Sequence, residues 1–104
     1  MIVTNLFEVP GRKYELLGLV KGSVVQSKHL GKDLLAGFKT MVGGEIKAYT
    51  EMLNEARHIA TTRMINEATG MGADAVLCVR YSSASIMDGS AEVLAYGTAV
   101  KFIT

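Results

Sequence analysis

GGEIKAYTEMLNEARHIATTRM, Gly43 to Met64, is the stretch that decides the fold. It contains no proline, Glu45 stands where a helix presents its positive end, and Gly70 follows the last residues of the same pattern. The spacing predicts one helix from Glu45 to Thr69 with Gly70 as a left-handed C-terminal cap. At 1.5 Å per residue that helix is about 38 Å long. On a helical projection Ile46, Tyr49, Leu53, Ala56, Ala60, Met64 and Met71 form an apolar stripe, widened on one side by Met52 and Ile59. The stripe needs an apolar partner surface. Arg57 projects beside Leu53 and Met64, and a buried arginine requires a partner such as a carboxylate of another subunit, a strand-end carbonyl or an anion. Arg63 and Glu67 stand at i and i+4, the spacing of a surface ion pair.

Strands flank this helix on both sides. YELLGLVKGSVVQ, Tyr14 to Gln26, follows a VPGRK turn that holds the only proline. Its alternation sets Leu16, Gly18, Val20, Gly22 and Val24 against Leu17, Leu19, Lys21, Ser23 and Val25. After the helix, Ala73 to Ser85 and Ala91 to Thr104 are joined by MDGS, whose Asp88-Gly89 pair signals a hairpin. Each of these strands spans roughly 40 Å, which matches the helix. Ser27 to Gly44 is a glycine-punctuated connector with one short helical piece, Asp33 to Met41. The expected fold is therefore α+β: a β-α-β-β core in which one long helix packs on an antiparallel sheet, as a single domain spanning 1–104.

In the strands, Ala75, Leu77, Val79 and Tyr81 alternate with Val76, Cys78, Arg80 and Ser82. In the last strand, Leu94, Tyr96, Val100 and Phe102 alternate with Val93, Ala95, Ala99 and Ile103. Both faces are largely apolar, and one helix covers one face. The remainder is expected to meet another copy of the chain, closed cyclic symmetry being the common solution.

Composition removes several functions. Eleven basic against ten acidic residues leave a formal charge of +1, without the basic field that nucleic acid or anionic lipid would require. No window reaches the roughly 20 apolar residues of a membrane span. One cysteine, Cys78, forms no intramolecular disulfide, and MIVTNLFEVPG lacks the features of a secretory leader, so a cytoplasmic location is expected.

Catalytic signatures are weak. Lys32 is followed by Asp33, which breaks a phosphate-loop pattern, and no nucleophile elbow supports a hydrolase triad, so a non-enzymatic role is expected. The candidate metal ligands are Cys78, His58 and His29, with no CxxC, HxxxH or HExxH spacing among them. A free strand cysteine is commonly a small core residue, and Met52 and Met64 have core spacing.

AGFKTMVGGEIKAYTEMLNEAR (Ala36 to Arg57), GADAVLCVRY (Gly72 to Tyr81) and AYGTAVKF (Ala95 to Phe102) together resemble the YbjQ-like family, the UPF0145 proteins, from about Val20 to Phe102. The resemblance implies a dodecin subunit-like fold, extra short strands or a helix used in assembly, and rings that are typically pentamers. It also brings a label of heavy-metal binding with no agreed ligands, and hence a heavy-metal ion as the possible cofactor. The matching positions include Gly37, Gly43, Gly44, Tyr49, Arg57, Gly72, Ala73, Gly97 and Thr98. Of these, Tyr49, Arg57, Gly43 and Gly44 are the candidate interface or pocket residues, and the dodecin-like fold implies, as an alternative, small-molecule binding or enzymatic activity at a subunit-interface pocket. The two glycines are expected in a turn, and Gly97 where strands approach closely. Ser23, Arg80, Ser82 and Ser83 stand where relatives tend to carry acidic residues, which removes oxygen ligands from any shared metal site.

Overall fold

The structure is a computed structural model that describes residues 1–27 and 42–103, the side chains of 42–46 excepted. His29, Gly37 and the expected short helix at Asp33 to Met41 lie outside the described residues. Four strands and one helix follow in the order β1 (Ile2–Val3), β2 (Tyr14–Ser27), α1 (Val42–Gly70), β3 (Ala75–Met87) and β4 (Ser90–Phe102). The sheet order is β1-β3-β4-β2. β4 pairs antiparallel with both long strands, whereas β1 runs parallel to β3, so the sheet is mixed rather than purely antiparallel.

The helix begins at Val42, and Gly43 and Gly44 are its first-turn residues rather than a turn before it. Glycine adopts helical dihedrals at a cost of about 1 kcal/mol, which the packing of the following turns outweighs. The cap also lies further on. Gly72, with φ +82°, takes the left-handed conformation, while Gly70 remains helical. Ala73 N–H donates to the Ala68 carbonyl and Gly72 N–H to that of Thr69, each at 3.0 Å. This pair of bonds is a Schellman motif and satisfies carbonyls the helix would otherwise leave open.

Two strand irregularities change which side chains share a face. A bulge between Leu16 and Gly18 in β2, where Gly18 has φ +144°, leaves Leu16 opposite Val100 but Gly18 opposite Ala99. Leu16 therefore lies on the face away from the helix, and Val20, Gly22 and Val24 on the helix face. In β3 the register jumps between Leu77 and Arg80, at Cys78, whose φ of +55° is left-handed. Val76, Val79 and Tyr81 thus share the helix face, while Ala75, Leu77, Arg80 and Ser82 share the other. A one-residue slip exchanges the faces of everything beyond it, and these bulges apply that rule within a strand. β4 has no irregularity of its own and alternates as expected.

The main core is narrow. Ala56, Ala60, Met64 and Ala68 of α1 are fully buried against Val20 of β2, Val76 and Val79 of β3, and Val93, Ala95 and Ala99 of β4. Alanines bring the helix close to the sheet, and Gly22 permits that approach, while Gly97 makes room for β3. A side chain at Gly97 would press on Val76 of the neighbouring strand. Leu53 packs at the margin.

The second face is not bare along its whole length. The segment between β1 and β2 folds across one end, where Val9, Tyr14, Cys78 and Phe102 pack against buried Ala75, Leu77 and Val100. Tyr14 donates its hydroxyl to the Phe7 carbonyl, and the Arg12 guanidinium stacks over the Phe102 ring at 3.9 Å. Toward the β3–β4 hairpin no described residue covers this face. The hairpin loop itself is Asp88-Gly89, as expected, with a positive φ at Gly89 alone and a register shift beside it at Ile86.

Candidate functional site

Arg57 is exposed, not buried beside the stripe. The buried row steps from Met52 through Ala56, Ala60 and Met64 to Ala68, leaving Arg57 outside it. Its guanidinium donates to Asn54 Oδ1 at 2.7 Å, one turn back on the same helix, so its partner is local rather than from a distant element. Arg63 likewise turns from Glu67 and donates to the Ser23 carbonyl of β2 at 2.7 Å.

Thr61 fixes which way this part of the helix looks. Its hydroxyl donates to the Arg57 carbonyl and lies 2.7 Å from the Tyr81 hydroxyl on β3. Arg57, one turn before Thr61, is therefore on the β3 side of the helix. Tyr49 is half-buried, about 12 Å further along the axis at 1.5 Å per residue. Beside Tyr81, a hollow of about 320 Å³ is lined by Val3, Thr4, Asn5 and Val79.

The edge of β3 has two parts. β1 pairs with it only at Ala75 and Val76, and Thr4 and Leu6 accept from Val79 and Cys78 through their carbonyls. From Tyr81 to Met87 the outer edge has no strand beside it among the described residues. β2 forms the opposite edge of the sheet over its full length, blunted by Arg63 at Ser23. Exposed edge strands template pairing with another chain unless covered or charged. Near these edges Leu16, Val25 and Met87 are 71%, 60% and 64% exposed.

The metal-ligand candidates do not converge. Cys78 is half-buried in the cluster on the face away from the helix, whereas His58 is exposed on the helix. Among the described residues no three His, Cys, Asp or Glu side chains are grouped to hold a metal ion. The described donor set therefore does not fit a heavy-metal site inside one subunit. No helix of the described residues is long and apolar enough to cross a membrane.

Sequence reasoning missed the Thr61–Tyr81 contact and the free edge beside it. The bulge at Cys78, which no glycine announces, is what turns Tyr81 toward the helix.

A family model described as "Putative heavy-metal-binding" matches residues 1–103. Among curated relatives, a UPF0145 protein of Thermotoga petrophila is 66% identical over 102 residues, covering 97% of this chain and 96% of that protein. A UPF0145 protein of Alkaliphilus metalliredigens is 57% identical over 103 residues, covering 99% and 100%. One from Thermus thermophilus is 61% identical over 102 residues, covering 97% and 90%. A crystal structure from Pediococcus pentosaceus, of unknown function and described as belonging to the DUF74 family, superposes with a TM-score of 0.61 at 15% identity, covering 98% of this chain and 97% of that one. That likeness concerns the fold alone. With a family match over nearly its whole length and relatives this similar, the chain belongs to the YbjQ-like family of UPF0145 proteins.

Proposed function

We propose that this chain is the subunit of a closed homo-oligomeric ring, a cytoplasmic binding or scaffold module rather than an enzyme. The observation that carries the reading is the pair of strand edges with no neighbouring strand among the described residues, β2 on one side of the sheet and β3 from Tyr81 to Met87 on the other. Pairing of unlike edges is a head-to-tail contact, which gives a ring where the repeated rotation closes and a filament where it does not; closure is the reading taken here. It satisfies backbone groups and shields the apolar side chains at both edges. In this reading Arg57, on the β3 side of the helix, and Tyr49 contribute to the subunit boundary, and the ring has five members, as the family resemblance implies.

Lysine at an edge opposes such pairing by placing a charge where a neighbouring strand would lie. Val25→Lys on β2 and Ile86→Lys on β3 replace exposed apolar side chains and are expected to preserve the subunit fold by circular dichroism. Light scattering across a dilution series should then show each variant's mass falling toward the 11.2 kDa of one chain. Unchanged assembled mass in both variants would contradict edge-to-edge association.

A further inference from the structure

The part of the sheet face opposite the helix that no described residue covers carries a concavity. Its walls come from three strands in register. Lys21 stands opposite Tyr96, which stands opposite Arg80; one row along, Ser23, Leu94 and Ser82 are aligned in the same way. Leu19, Lys21, Ser82, Leu94 and Tyr96 line an open hollow of about 390 Å³. That volume lies within the roughly 300–1,000 Å³ of small-molecule sites, and an apolar lining with a few polar groups is their usual chemistry.

Among the described residues, three polar side chains of this hollow have no partner. The Lys21 ammonium and the Tyr96 and Ser82 hydroxyls make no hydrogen bond or ion pair among the described residues. Leu19, 69% exposed, and Leu94 supply the apolar floor, and the Tyr96 ring adds a flat surface. No carboxylate among the described residues lines the hollow. Glu92 on the same face is two residues along β4 from Leu94, about 7 Å at 3.3 Å per residue, beyond the row that Ser82 and Leu94 share. Arg80 adds positive charge on the other side of Tyr96, with its guanidinium held by the Asn5 carbonyl at 3.2 Å and the Val79 carbonyl at 3.0 Å. The near-neutral charge of the whole chain conceals this local asymmetry.

We propose that this concavity binds a small organic anion with a flat apolar body, its acidic group on Lys21 and the Tyr96 and Ser82 hydroxyls and its body on Leu19, Leu94 and the Tyr96 ring. A charged acceptor on an ammonium makes a stronger hydrogen bond than a neutral one, which supplies the selectivity for an anion. All the residues of this site come from one chain, so binding and assembly are separate readouts.

The test uses two fluorescent probes of similar shape, anilinonaphthalene sulfonate, an anion, and N-phenylnaphthylamine, which is neutral. The full chain should bind the sulfonate saturably, at one site per chain. Lys21→Met should weaken the sulfonate about tenfold, the scale of one charge-assisted contact, and leave the neutral probe unchanged. Tyr96→Ala should weaken both. Light scattering on the same samples keeps the ring reading separate: sulfonate binding lost at unchanged mass supports the site. Absence of saturable binding, equal sulfonate affinity in Lys21→Met and wild type, or loss of binding only in step with loss of mass would each overturn the proposal.

Discussion

Gly22→Ala should be the most damaging single-methyl change in the chain. A Cβ at this position would fall on the Ala60 carbonyl oxygen and the Met64 amide nitrogen, and 2.8 Å from Arg63 Cβ. Two of those neighbours are backbone atoms of the helix that the whole core is built on, so no rotamer change makes room. Overpacking ordinarily costs about 1–3 kcal/mol, and a site that cannot yield without moving a helix belongs at or above the top of that range. For a domain this size, about 3 kcal/mol lowers Tm by roughly 12–24 °C. Thermal unfolding at a fixed protein concentration reads the effect, because association would make Tm concentration-dependent. Gly70→Ala is the matched control: nothing lies within 4 Å of its Cβ, and its helical backbone should gain about 0.5–1 kcal/mol. A Gly22→Ala protein melting with wild type would show that the helix does not rest on β2 as described.

Met64→Ala is the second large loss. Met64 is among the largest fully buried side chains, and its neighbours in the buried row are Ala56, Ala60 and Ala68. Alanines have no side chain that can swing into the vacated space, so relaxation depends on the helix moving toward strands it already touches at Gly22. Core truncations of this kind cost about 2–5 kcal/mol, and limited relaxation places this one in the upper half. Urea unfolding should show a lower midpoint with an unchanged slope, since the surface exposed on unfolding is nearly the same. A loss below about 1 kcal/mol would mean the site collapses freely.

These two positions also mark where the sequence was informative. The helix, the three long strands and the Asp88-Gly89 hairpin follow from periodicity and turn chemistry, and the family from its motifs. Gly22 gave no local signal, because its necessity comes from the helix that crosses it. Arg57 was placed beside the core by a projection that assumes a stripe parallel to the helix axis. The buried row from Met52 to Ala68 instead steps by four residues, a row inclined to the axis that suits a twisted sheet, and Arg57 falls outside it. The bulges at Leu17 and Cys78 depend on tertiary pairing; Gly18 hinted at the first and nothing at the second. Cover for half the second sheet face comes from Val9 and its neighbours, where composition showed only a turn. The Lys21, Tyr96 and Ser82 grouping spans three strands and exists only once their register is known.

The proposed closed ring of identical subunits can be counted. Native mass spectrometry of the protein purified from its own cells, without chelator or affinity metal, tests it most directly. The predicted spectrum is dominated by one assembly of more than two chains, its mass an integer multiple of 11.2 kDa, with five as the expected multiple. A spectrum showing only the single chain at 11.2 kDa, at concentrations where the purified protein remains folded, would contradict it.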